Sequence, residues 1–181
     1  MIHNREAAAA WWRSLQSDPE RGQAGDRAAL ARLRRCATVV EAMQEPATIV
    51  LFRACGADRP DDLVTVALAA AVLAHLRQDG PEQSVARQVG QQTGSEALKP
   101  ALMKPLRFQR LMAAATPDER LAAMRRLVAL AGGKLNLRDL CAALFDWTEW
   151  RRIRWTYDYW DAGQPAAPDR PTNMPGKDTA A

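Results

Sequence analysis

Lys99, Lys104, Arg107 and Arg110 stand between Ala97 and Pro117, a stretch without a single acid. Arg107 and Arg110 are three apart, so on a helix they share a face, and Lys104 joins that side one turn earlier. Phe108 and Leu111 then point the other way, toward a core. A row of cations on one helix face has the shape and sign to contact phosphates. A solvated helix face is the plainer account of the same residues. Arg27, Arg32, Arg34 and Arg35 make a second basic run, of which Arg27, Arg34 and Arg35 fall within one broad face. A third group, Arg125, Arg126, Lys134 and Arg138, flanks the pair Gly132-Gly133. A fourth, Arg151, Arg152 and Arg154, sits among Glu149, Asp158 and Asp161, which points to ion pairs within the chain.

Other chemistries lack their residues. Cys36, Cys55 and Cys141 are far apart and form no C-x-x-C, and the histidines are His3 and His75 alone. A disulfide scaffold and a zinc site are therefore not expected. No dinucleotide-binding glycine fingerprint, phosphate-binding P-loop, H-E-x-x-H or nucleophile elbow occurs. Asp158 and Asp161 have no third ligand for a metal. Cys141 lies on an apolar stripe, which marks a buried, inert thiol. His75 closes an apolar run as a boundary residue. The expectation is no enzyme, no cofactor and no metal. Trp147, Trp150, Trp155 and Trp160 crowd one segment with Tyr157 and Tyr159. Platforms for unpaired bases are one reading of them. Packed anchors for a bundle or a partner subunit are the more ordinary one.

The elements that must carry these residues read as helices. The chain has 181 residues and a mass of 20.0 kDa, one ordinary domain or two small ones sharing a core. It is 48% hydrophobic and 25% charged, with a formal net charge of +4 and a pI near 9.3. Helix-period patterns dominate, and no alternating strand stands out. Asn4 can cap a first helix with Trp11, Trp12 and Leu15. Asp26 caps a second, expected to run to about Glu41 with Leu30, Leu33, Ala37 and Val40 on one face. Pro46 opens a short helix and Pro60 a strongly apolar one. Its run from Leu63 to Leu76 is too short to span a bilayer and reads as a buried helix. Ser84 caps a helix to about Gln92, ended by Gly94. Pro105 opens a helix to Ala115. Thr116-Pro117-Asp118-Glu119 is a capping box. Gly132-Gly133 ends that helix, and Asn136 caps the last helical region. Its pattern continues through Trp147, Trp150, Ile153 and Tyr157 to Trp160, with a break near Trp147.

The fold expected is all-α, a helical bundle with an N-terminal subdomain over 4–92 and a C-terminal one over 95–161. The proline-rich stretch 162–181 reads as a disordered tail. The polar start shows no secretory signal, so a reduced cytoplasmic protein is the expectation.

The order of WW..L near the start, GDRAALARLRR from Gly25 to Arg35, SEALKPALMKPLRFQRLMAA, and FDWTEWRRIRWTYDYW resembles the CasB family. That family supplies the small subunit of the type I-E CRISPR surveillance complex, Cascade. The resemblance spans about Trp11 to Trp160. It implies an all-helical protein with two bundles and no catalytic activity. It implies that two copies sit beside the backbone subunits that hold the guide RNA, with the large subunit also in the complex. Basic surfaces would help hold the guide–target hybrid and the displaced DNA strand, touching phosphate rather than base edges. The family's basic helix matches Arg107, Phe108, Arg110 and Leu111, which carries a DNA-contact role onto Arg107 and Arg110 with Lys104 and Lys99 beside them. GDRAALARLRR matches the basic N-terminal helix and makes Arg27, Arg34 and Arg35 candidates. Arg125, Arg126, Lys134 and Arg138 form a weaker group. The competing reading is a helical protein-interaction module whose arginines and tryptophans bind partner subunits without nucleic acid.

Overall fold

The apolar run from Leu63 to Leu76 decides the architecture. In the computed structural model it forms most of α5 (Pro60–Leu73), opened by a proline at the first helical position. Every side chain from Val66 to Leu73 is fully buried. A helix that is apolar all round needs neighbours all round. On its two ends and flanks α5 packs against α1 (Ala7–Leu15), α2 (Arg27–Arg35), α3 (Val39–Met43), α4 (Pro46–Ala54), α8 (Pro117–Leu130) and α9 (Leu137–Phe145). Outside this group, α6 (Val85–Val89) packs on α10 (Glu149–Tyr159), and α7 (Pro105–Ala113) packs on α8. One cluster of buried apolar side chains runs through all of it, from Ala8 to Tyr159.

The structure describes residues 2, 4, 6–18, 20, 22, 24–91 and 100–161. Lys99, Gly94 and the segment 162–181 lie outside them. The architecture is all-α, as the helical periodicity required. One departure is a parallel pair of two-residue strands, β1 (Gln78–Asp79) and β2 (Lys134–Leu135), with Gln78 opposite Lys134. It exists because the chain leaves α5 and α8 side by side. Gly132 and Gly133 turn α8 back with φ of 65° and 78°, a conformation that a side chain disfavours. The Gly133 carbonyl then accepts from Arg77 N at 2.8 Å and Gln78 N at 3.1 Å.

Local signals hold where they are chemical. Thr116 Oγ1 accepts from Glu119 N, and the Glu119 carboxylate accepts from Thr116 N. Asn4 Oδ1 accepts from Ala7 N, and Asn136 Oδ1 from Asp139 N. The two tryptophans of α1 bury their rings and spend their N–H groups on Ala47 O and Leu76 O.

Two helix boundaries differ from expectation, while the break expected near Trp147 is present but changes the helical phase. The helix expected from Asp26 to Glu41 stops at Arg35, and α3 starts afresh with Thr38 as its cap. Val40, expected inside, is therefore 62% exposed. The helix from Ser84 ends at Gly90, where a side chain would collide with the Tyr159 backbone. The last helical region breaks between Phe145 and Glu149, and Thr148 caps the new start. The restart shifts the helical phase. Trp155 and Tyr159 point inward, while Trp150, Ile153, Tyr157 and Trp160, expected along the inner stripe, are exposed.

Candidate nucleic-acid interface

The basic face of α7 is set by what the other face buries. Pro105 opens the helix with Lys104 as its cap residue. Phe108 and Leu111 are buried, and the Phe108 ring stacks on Tyr159 with centroids 4.0 Å apart. That contact locks the rotation of α7 against α10. Lys104, Arg107 and Arg110, spaced by three, are left exposed. Among the described residues none of the three has an ion-pair or hydrogen-bond partner for its side chain. No described residue therefore compensates their charge at close range.

A second group forms where α5 ends. Arg34, in the last turn of α2, donates from Nε to Ala74 O at 2.6 Å. Arg125 of α8 donates to Ala71 O at 3.4 Å, to Leu33 O at 3.0 Å and to Cys36 O at 2.6 Å. Arg77 follows the end of α5 with its stem against Gly133, and Lys134 lies opposite Gln78 in the strand pair. Arg34, Arg77, Arg125 and Lys134 thus gather at one end of α5, from four parts of the chain. Arg34, Arg35, Arg77, Arg126 and Lys134 are exposed there or on the adjoining helices.

Arg125 differs from the others. It is half-buried and its guanidinium is spent on backbone carbonyls, so it faces the chain rather than solvent. His75 sits beside it with Nε2 buried and unpartnered among the described residues. Burial, reinforced by the charges of Arg125 and Arg34, holds its pKa down at about 4, so the ring is neutral at pH 7.

The remaining candidates are dispersed. Arg27, at the first turn of α2, is exposed. Arg138, at the start of α9, is exposed and lies 3.9 Å from Glu6. Lys99 lies outside the described residues. No hydrogen bond or ion pair among the described residues joins the α7 cations to the group at the end of α5. Of the fourth run only Arg151 is ion-paired among the described residues, at 3.8 Å from Asp139 and 3.9 Å from Asp146 rather than with the expected Glu149, Asp158 or Asp161, and Arg152 donates to Met112 O at 3.4 Å. Arg154 instead stands over the Trp150 ring, 5.8 Å from its centroid.

Burial raises the thiol pKa of Cys55 to about 11 and of Cys141 to about 12, so both stay protonated at pH 7. No group of three His, Cys, Asp or Glu side chains among the described residues is placed to hold a metal ion. No helix among them is long and apolar enough to cross a membrane.

Residues 29–160 match the family described as CRISPR-associated protein Cse2. The chain belongs to the Cse2 family. This is the family, also called CasB, that the sequence resembles between Trp11 and Trp160. A chain in the crystal structure of E. coli Cascade bound to a PAM-containing dsDNA target has the same fold. The match has a TM-score of 0.56 and 17% identity, and covers 88% of this chain and 95% of that one. No curated protein matches the chain.

Two features of this Cse2 chain escape a reading of the sequence. Arg77 is the first: a cation directly after an apolar helix marks the exposed end of that helix, and this was the available signal. The exposed aromatic face of α10 is the second. Its phase depends on the cap at Thr148, which has Arg151 rather than Glu three residues on and so spells no capping box.

Proposed function

We propose that this member of the Cse2 family is a non-catalytic structural subunit of a type I-E Cascade complex in the cytoplasm. It holds nucleic acid there by the phosphate backbone. The observation that carries this reading is the α7 stripe of Lys104, Arg107 and Arg110, exposed and without acidic partners among the described residues. The cations at the end of α5 add a second surface of the same sign. Each phosphate that a cation neutralises releases condensed counterions, a gain indifferent to sequence. Base pairing with the guide reads the target, so a subunit beside the guide–target hybrid or the displaced strand needs charge and shape only. A few phosphate contacts per subunit are weak alone, and neighbouring subunits raise the effective concentration. The partners of this reading are guide RNA, target DNA, the guide-binding backbone subunits, the large subunit and a second copy of the chain.

Arg107→Ala and Arg110→Ala, each in assembled complex, test it. Each is expected to weaken DNA binding by a similar factor for every target sequence. The slope of log affinity against log salt should fall by about one unit for each phosphate left without its cation. Unchanged affinity and slope in both variants would remove the α7 face from the interface.

A protein-docking role for α10 stands beside this one rather than against it. Trp150, Ile153, Tyr157 and Trp160 are 61%, 60%, 51% and 44% exposed along one side of the helix. Exposed side chains of this size in one row mark a protein contact, and neighbouring subunits of the assembly are the occupants proposed.

A further inference from the structure

We infer that Arg125 is a positioning residue: with Asp118 it fixes the corner between α2 and α3, and so the direction in which α2 presents Arg34 and Arg35. The inference rests on the nucleic-acid reading above and says which buried contacts that reading needs. The last turn of any helix leaves carbonyls without partners. In α2 these meet a guanidinium from a distant helix. Arg125 Nη2 donates to Leu33 O at 3.0 Å, Nη1 to Cys36 O at 2.6 Å and Nε to Ala71 O at 3.4 Å. Three donors in one rigid plane thus join the end of α2, the turn after it and the last turn of α5. Arg34 returns the link by donating to Ala74 O.

The same helix holds the other side of the corner. Asp118, seven residues before Arg125 and so on the same side of α8, accepts from Val39 N at 2.7 Å. Two side chains two turns apart therefore grip Cys36 and Val39, the residues between which the chain leaves α2 and enters α3. Loosening that grip frees the basic last turn of α2 to swing away from Arg77 and Lys134. A direct phosphate contact by Arg125 would have to break its bonds to the chain itself.

Three substitutions in assembled complex test this, with DNA affinity and salt slope as readouts and the melting midpoint of the subunit measured alongside. Arg125→Lys keeps the charge but cannot span three carbonyls. It is expected to lose affinity roughly threefold to tenfold, as Arg125→Met does. Asp118→Ala adds net positive charge, so a purely electrostatic role would leave binding equal or tighter. Positioning requires it to weaken binding. It also covers the case in which Arg125→Met fails to fold. The losses should vanish when Arg34 and Arg35 are already alanine, and persist in full when Arg107 is alanine. Wild-type affinity in Arg125→Lys with a loss in Arg125→Met would make Arg125 a direct contact and overturn the inference. Losses that add fully to those of Arg34→Ala with Arg35→Ala would also overturn it. If that arginine pair changes neither affinity nor slope in the parent complex, the nucleic-acid reading of this surface is what has failed.

Discussion

His75 shows how a single residue reports on the arrangement around it. Its ring is half-buried, and burial first, then the charges of Arg125 and Arg34, lower its pKa from 6.5 to about 4. An unfolded histidine takes up its proton near pH 6.5, while the folded one resists until about pH 4. Over that interval the unfolded chain binds more protons, so stability is full above pH 6.5 and is lost as pH falls toward 4. The melting midpoint of the wild type is expected to drop between pH 6.5 and 4.5 more steeply than that of His75→Gln. Parallel curves would place the ring in water. Asp139, which burial pushes upward, is common to both proteins and cancels from the comparison. At this scale the sequence is legible where a side chain acts on its own neighbourhood. Thr116 with Glu119, and Asn136 with Asp139, are of that kind. Arg125 is not: its carbonyl partners lie 54, 89 and 92 residues away, and its spacing from Arg126 says nothing of them.

Helices are legible from their caps, and go wrong where a cap is passed over. Thr38-Val39-Val40-Glu41 spells the same start as Thr116 to Glu119. Thr38 Oγ1 accepts from Glu41 N at 3.2 Å, and the Glu41 carboxylate accepts from Ala37 N at 2.7 Å. Apolar periodicity through Ala37 and Val40 hides that start, because the expected stripe runs across the break. The same physics places the aromatics of α10. A new cap at Thr148 resets the phase, so Trp155 and Tyr159 are core and the row from Trp150 to Trp160 is surface. The two groups should answer differently to substitution. Trp155→Ala is expected to destabilise the subunit by about 3–5 kcal/mol. Trp150→Ala with Ile153→Asp should leave the melting midpoint within a few degrees of the wild type. That pair should instead reduce recovery of the subunit in complex with the other Cascade proteins. Full assembly of the pair variant would show that this face docks none of them.

For the whole molecule, the net charge of +4 is modest, and what matters is where the charge stands. The sequence shows the basic runs but not their relation. The fold brings the arginines of α2 and the cations around the diglycine turn to one end of α5, because α5 packs against both α2 and α8. It puts the α7 stripe on a separate helix. It also turns Arg125 inward and pairs Arg151 with acids. No linear pattern separates Arg125 from Arg107 and Arg110, since the difference is made by partners distant in sequence. In the proposed function the α7 stripe and the group at the end of α5 would each add phosphate contacts of their own.

The salt dependence of DNA binding by assembled complex addresses this directly. Three variants suffice: Lys104, Arg107 and Arg110 changed together to glutamine; Arg34, Arg35 and Lys134 changed together to glutamine; and a control with Arg53 changed to glutamine. Each triple variant is expected to lower the salt slope by about two to three units per subunit copy engaged, with the control at the wild-type slope. Wild-type slopes in both triple variants, or a fall in the control as large per charge removed, would contradict the account.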